Sequence, residues 1–130
     1  MKSSSQKAAD GHEEMVAAQL ADIYDPANVT RTPGSGNNAL SSGDVRVSGE
    51  WVVECKTTAA DSMIVKQAWF HKVRKEGFMG GVRSMLALRF NHNRNRTYYM
   101  LEDWDLLDLL ETERQYKELV ALHLVTHATA

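Results

Sequence analysis

The chain has one cysteine, two prolines and no long apolar run in its 130 residues. A single cysteine cannot form an internal disulfide, so nothing in the sequence calls for an oxidising compartment. No apolar segment approaches the roughly 20 residues of a membrane span, and the polar start lacks the apolar core of a secretory signal. We therefore expect a cytoplasmic protein with no membrane partner.

The size and composition are those of one globular domain covering residues 1–130, since 43% of the positions are hydrophobic and 25% are charged. The formal net charge of -2 argues against a protein that coats nucleic acid non-specifically. Charge is unevenly distributed, because residues 62–101 hold eight Lys or Arg against one acid, whereas residues 102–118 hold seven acids against two basic residues. A basic middle and an acidic end predict one surface for a polyanion and another turned away from it.

Three helical segments are predicted. Apolar positions at helical spacing indicate a helix over residues 8–24, ended by Asp25-Pro26, after a disordered tail over residues 1–7. A second helix is expected from Asp61 or Ser62, as its cap, to about residue 76. Its predicted buried stripe consists of Ile64, Val65, Ala68, Trp69 and Val73. Residues 102–130 are predicted to be a helical segment that is either core or a dimer surface.

Strands are predicted at residues 44–47 and 50–56, joined as a hairpin by a turn at Ser48-Gly49, and at residues 85–90 and 97–100. Because side chains alternate along a strand, Glu54 and Lys56 share one face while Cys55 points to the other. Cys55 is therefore expected to be a small core residue and not a nucleophile. The order of elements predicts an α/β fold, a mixed central sheet flanked by helices.

Residues 33–43 form a segment in which eight of eleven positions are Gly, Ser or Asn, which predicts a flexible loop. Such a length is unusual for a connection inside a small domain, and long loops of this kind tend to be functional. Its position just ahead of Asp44 suits an arm that closes over DNA.

Hydrolysis of a phosphodiester needs a divalent metal, oxygen ligands that hold it, and a group that orients water. Asp44 and Glu54, on paired strands, are well placed to hold Mg²⁺, with Mn²⁺ as a substitute and the Val53 or Cys55 carbonyl as a possible backbone ligand. Lys56, on the same face as Glu54, can contact the attacking water or a phosphate oxygen.

A third carboxylate could come from the first helix, at Glu13 or at the adjacent Glu14. Glu13 is preferred because it lies on the same stripe as the apolar positions of that helix. The five histidines have no metal-like mutual spacing, so positions on helix surfaces are expected for them.

The pattern Glu13 … Gly43-Asp44 … Glu54-Cys55-Lys56 resembles the PD-(D/E)XK nuclease superfamily, and within it the Holliday-junction resolvases of archaea and related nucleases of phages. Those enzymes also carry a Glu-bearing helix after a Gly, followed by an Arg, here Arg31, and a Gly/Ser-rich loop. The likeness covers residues 11–58, and Gly43 stands where the family usually has Pro.

The resemblance implies a restriction-endonuclease-like fold and a homodimer that cuts branched double-stranded DNA, with Asp44, Glu54 and Glu13 as metal ligands and Lys56 as a catalytic residue. Gln67 falls where related nucleases often place another active-site polar group. Expected DNA contacts are Arg31, Ser35, Lys66, Lys72, Lys75, Arg94 and Arg96. Two alternatives stay open: a related nuclease with another DNA substrate (restriction-like, flap or end cutting), and a non-catalytic DNA-binding module.

Overall fold

The computed structural model describes residues 3–32, 44–93 and 95–128. Ser35, Arg94 and the predicted loop at 33–43 lie outside these residues. The chain divides into two units, residues 1–100 and residues 101–130. The elements in chain order are α1 (Ser4–Ala21), a 3-10 turn (Pro26–Asn28), β1 (Val29–Thr32), β2 (Asp44–Val47), β3 (Trp51–Thr57), α2 (Gln67–Gly80), β4 (Arg83–Arg89), β5 (Tyr98–Met100) and α3 (Asp103–Ala128).

The first unit is built on a five-stranded sheet in the order β1-β2-β3-β4-β5. β3 and β4 are parallel and the other neighbours are antiparallel, so the predicted mixed sheet is confirmed. Parallel neighbours need a crossover connection, and α2 lies in the connection from β3 to β4. The predicted hairpin of β2 and β3 is also present. Its turn uses Gly49 at φ +75°, a left-handed conformation that glycine adopts without steric cost.

α2 covers one face of the sheet. Its Val73 is fully buried and belongs to a core cluster on that face. The other buried members of the cluster are Val52, Leu86 and Leu88. Since Val52 lies on β3 two residues before Glu54, the Glu54 side chain points to the same face.

α1 covers the opposite face. The ring nitrogen Nε2 of His12 lies 2.8 Å from the carbonyl oxygen of Ala87, the β4 residue that pairs with Cys55. Just beyond the end of α1, the Tyr24 hydroxyl accepts a hydrogen bond of 2.9 Å from Trp51 Nε1, and Trp51 shares a strand face with Cys55. The two helices therefore enclose the sheet from its two sides.

α1 begins four residues earlier than predicted because a capping box stabilises its start. The Ser3 hydroxyl accepts a 3.2 Å hydrogen bond from the Gln6 backbone N–H, and the Gln6 side chain accepts one of 2.9 Å from the Ser3 N–H. The prediction of a disordered tail is therefore wrong for residues 4–7. The helix ends at Ala21 and not at Tyr24. Glu13, Val16 and Leu20 of the predicted stripe are buried, whereas Ile23, beyond the end of the helix, is 76% exposed.

α2 begins at Gln67, so the predicted start at Asp61 or Ser62 is wrong. The chain before it is not helical, and it packs Met63 and Val65 against the core cluster while Ile64 is 82% exposed. This alternation belongs to extended chain, which β-branched residues favour. Of the predicted stripe, Ile64 and Ala68 are exposed and Val73 is buried. The helix continues to Gly80, and Gly81 caps it in the left-handed conformation.

α3 forms the second unit, and the predicted helical segment is confirmed over Asp103–Ala128. Many of its apolar side chains are exposed, among them Trp104, Leu107, Leu110, Tyr116, Leu119 and Leu124. No helix of the described ranges is long and apolar enough to cross a membrane. A dimer surface on α3 stays a prediction.

Gly77 lets α2 approach the start of β4, and the close approach can be tested. An added Cβ would lie 2.8 Å from the Val82 carbonyl oxygen, a backbone atom that cannot rotate away. We expect Gly77→Ala to lower the free energy of unfolding by about 1–3 kcal/mol, as overpacking does. Urea unfolding measures this change in the free energy of unfolding.

Gly80→Ala in the same helix is the matched control, because its nearest neighbour would be a side-chain carbon of Val82 at an ordinary 3.8 Å. That variant should be neutral or slightly stabilised, since alanine favours helix more than glycine does. Equal stability of the two variants would show that the approach of α2 to β4 does not require glycine at 77.

Candidate active site

Two carboxyl groups face each other across the β2–β3 hairpin. Asp44, the first residue of β2, pairs directly with Glu54 in the middle of β3. Asp44 is 6% exposed and Glu54 is 0% exposed. Acidic side chains are seldom buried to this extent without partners, because an ionised carboxylate loses its hydration. The pair therefore forms a buried acidic centre on the α2 face of the sheet.

Two lysines converge on Glu54. Lys56 Nζ lies 3.4 Å from one carboxylate oxygen, and Lys72 Nζ, from α2, lies 3.4 Å from each of the two. Lys56 is also held over the ring of Trp69, 4.6 Å from its centroid, a cation–π distance. Burial opposes the charge of Lys72, but the Glu54 carboxylate outweighs it, and the pKa of Lys72 is raised. Lys72 was predicted as a DNA contact, and it lies within the acidic centre.

Asp44 is the less well satisfied of the two acids. Its Oδ1 atom is buried and has no hydrogen-bond partner among the described residues, and its Oδ2 atom lies 3.8 Å from Arg46. Burial raises the pKa of Asp44 to about 9, and the nearby carboxyl groups of Glu54 and then Glu76 add to the rise. Such a group is protonated at neutral pH unless a cation beside it favours the charged form.

Arg46 and Glu76 belong to the same centre, although the sequence analysis singled out neither. Arg46 lies two residues after Asp44 on β2 and donates a hydrogen bond of 3.3 Å to Glu76 on α2. Two signals could have found them. Strand alternation places Arg46 on the Asp44 face, and helical spacing places Glu76 four residues after Lys72 and three after Val73.

Glu13 does not belong to the acidic centre. It is buried as predicted, and its Oε2 atom accepts a hydrogen bond of 3.0 Å from Arg31 on β1. Arg31 also donates to the exposed Glu14 over 3.4 Å. Because α1 covers the sheet face that carries Cys55, Glu13 approaches the sheet from the side opposite to the acidic centre. Arg31, a predicted DNA contact, is thus surrounded by acids of α1.

Cys55 and His12 are core residues of the α1 face. Burial raises the pKa of the Cys55 thiol, and the charge of Glu13 adds to this, so the predicted core role of Cys55 is confirmed. The expectation of a surface position is wrong for His12, which is 1% exposed because it packs on Ala87. Burial lowers the pKa of His12 to about 4, so its ring is neutral at physiological pH.

The other predicted polar contacts are spread over the surface. Lys66, Gln67, Lys75 and Arg96 are exposed. Arg96 borders a polar cavity of about 330 Å³ that Asp61, Phe90, Asn91, Asn93 and Tyr98 also line. Of the predicted set, the structure thus brings together Asp44, Glu54, Lys56 and Lys72.

The acidic centre suits a hard divalent cation by its donors. Mg²⁺ binds oxygen ligands and often uses only one or two protein carboxylates besides water. Asp44 and Glu54 offer two facing carboxyl groups, and the buried Oδ1 atom of Asp44 has no competing donor within the described chain. Over the same residues, no three His, Cys, Asp or Glu side chains are already arranged as a complete metal-binding group.

Comparison of the chain with protein-family models, with curated proteins and with solved structures gives no match. The function therefore has to be inferred from the site itself.

The raised pKa of Asp44 predicts how the stability of the metal-free protein depends on pH. Asp44 loses its proton near pH 3.8 when unfolded but near pH 9 when folded, so the folded state binds the extra proton between these values. Its contribution to stability is complete below pH 3.8 and is lost as the pH rises toward 9. We expect the free energy of unfolding to fall between about pH 7 and pH 9 in the presence of a chelator.

Asp44→Asn should reduce this fall, and denaturant unfolding at the two pH values measures it. His12 does not contribute in this window, because its pKa is about 4. Asp22→Asn, at the exposed end of α1, is the matched control. An equal loss of stability with pH in wild type and Asp44→Asn would show that the titration of Asp44 does not cause the loss.

Proposed function

We propose that this protein is a metal-dependent endodeoxyribonuclease of the PD-(D/E)XK type, with a restriction-endonuclease-like fold. The observation that carries the proposal is the buried pairing of Asp44 with Glu54, with Lys56 on the same strand face. A Glu-x-Lys sequence on an ordinary solvated strand would expose both side chains. Here Glu54 is entirely buried in the sheet, where a carboxylate is costly unless it has a task or partners.

Asp44 and Glu54 are the residues that would hold Mg²⁺ or Mn²⁺ in this protein. When bound, such an ion polarises the phosphate and makes the attacking water more acidic. Lys56 and Lys72 lie between the buried carboxyls and solvent, since their side chains are 16% and 50% exposed. They are thus positioned to meet the non-bridging oxygens of an incoming phosphate, and Trp69 orients Lys56 for that contact.

The proposed substrate is DNA, and within DNA a four-way junction. Exposed basic residues supply charge for a phosphate backbone: Lys66 just before α2, Lys75 within it and Arg96 in the loop before β5. The preference for a junction rests on the resemblance of residues 11–58 to resolvases. A symmetric junction would be cut by a two-fold homodimer with one site in each subunit.

Replacing Glu54 tests the nuclease proposal. We expect Glu54→Gln to lose Mg²⁺-dependent cleavage by about 100-fold or more, because even outer partners of metal ligands cost up to about that factor. DNA binding, measured by fluorescence anisotropy, should persist. Glu50→Gln, at the exposed turn of the same hairpin, is the matched control and should cut like wild type.

Thermal unfolding of both variants checks that the fold is intact, since Glu54 is the partner of two lysines. Unchanged cleavage by a folded Glu54→Gln protein would remove the nuclease assignment. DNA binding without cleavage by the wild-type protein would favour the non-catalytic module.

Junction preference needs a separate measurement. A synthetic four-way junction, a linear duplex and a flap, each labelled differently, would compete for the enzyme in one reaction with Mg²⁺. We expect paired symmetric nicks in the junction and slower cutting of the other two substrates. Comparable cutting of all three would favour a nuclease of broader substrate range and end the resolvase proposal.

A further inference from the structure

Asp44 has two carboxyl neighbours and not one. Glu54 faces it across the hairpin, and Glu76 on α2 is linked to it through Arg46, whose Nη2 atom lies 3.3 Å from Glu76 and 3.8 Å from Asp44. All three side chains belong to the α2 face of the sheet. Without a bound cation, the three acids repel each other on this face of the sheet.

The buried Oδ1 atom of Asp44 is the second observation that points to a ligand. It is fully buried and has no hydrogen-bond partner in the described part of the chain, although buried polar atoms are almost always paired. An ionised Asp44 carboxylate among other carboxylates would find no donor there, whereas a cation among them would satisfy it.

Arg46 occupies the position between Asp44 and Glu76 that such a cation would take. Its Nη2 atom lies 3.3 Å from Glu76 and 3.8 Å from Asp44, so one guanidinium group bridges the two acids. The Arg46 side chain is 41% exposed, which leaves it free to move toward solvent while the carboxyls stay in place.

Glu13 is the other candidate for a third carboxylate, and its position is unsuitable. It lies on the α1 side of the sheet, and its Oε2 atom is bound to Arg31 at 3.0 Å. To bind a cation beside Asp44 it would have to give up this ion pair and leave the α1 side of the sheet.

We propose that Glu76 on α2, and not Glu13 on α1, is the third carboxylate of a divalent-cation site formed with Asp44 and Glu54, and that the cation displaces Arg46 from between Asp44 and Glu76. The inference rests on the proposed function, because it names a ligand of the same site. It predicts that Arg46 competes with the cation and that Glu13 has no part in binding it.

The test measures Mn²⁺ binding to the full chain by isothermal titration calorimetry, without DNA. We expect Glu76→Gln to raise the Kd for Mn²⁺ by about 10-fold or more, since loss of one supporting group costs about 10–100-fold in affinity. Glu13→Gln should stay within about twofold of wild type, being the matched removal of a buried charge on the other face. Arg46→Gln should bind Mn²⁺ as tightly as wild type or more tightly.

The Arg46→Gln variant separates a ligand from a positioning residue. If Glu76 only held Arg46 in place, Arg46→Gln would weaken Mn²⁺ binding as much as Glu76→Gln does, and that result would overturn the proposal. Equal affinity of Glu76→Gln and wild type, or weakening by Glu13→Gln alone, would overturn it too. Glu76→Ala serves as the second variant if Glu76→Gln does not fold.

The outcomes also separate this inference from the proposed function. If wild type binds Mn²⁺ and cuts DNA while Glu76→Gln binds Mn²⁺ normally, the nuclease stands and only the role of Glu76 is lost. If wild type binds no Mn²⁺, both proposals fail together.

Discussion

Two carboxyl groups buried side by side are the constraint on which the first unit depends. Asp44 and Glu54 are direct partners across β2 and β3, in a position where like charges destabilise a sheet. The fold counters this on the α2 face with Lys56 and Lys72 beside Glu54, and with Arg46 beside Asp44. The compensation is uneven, because Glu54 has two lysines nearby whereas Asp44 has a distant arginine and one oxygen without a partner.

The crossover from β3 to β4 contains α2, which supplies the remaining side chains of the acidic centre. An extended segment at residues 61–66 lays Met63 and Val65 on the core before α2 begins at Gln67. The helix then presents Trp69, Lys72 and Glu76 to the same strand face, all within two turns.

Glu13 lies outside the acidic centre and Glu54 lies inside it, so the degree of burial alone does not distinguish the two positions. Glu13 and Glu54 are both nearly inaccessible, and both are paired with cations. Glu13 makes a close ion pair with Arg31 on the α1 face, which is a satisfying structural role by itself. Glu54 shares its face with a second buried acid, Asp44, its partner across the strand pair, whereas Glu13 lies on α1. The face of the sheet, more than the degree of burial, distinguishes the two.

Some features of this protein follow from the sequence alone. The hairpin of β2 and β3, the shared face of Glu54 and Lys56, and the inward position of Glu13 could be predicted because alternation and helical spacing act between near neighbours. Only the tertiary structure decided that Lys72 contacts Glu54, that Arg46 links Glu76 to Asp44, and that Glu13 lies on the other side of the sheet. These outcomes depend on which face each helix covers and where α2 begins. Packing against the whole sheet determines these, and no local pattern of residues encodes them.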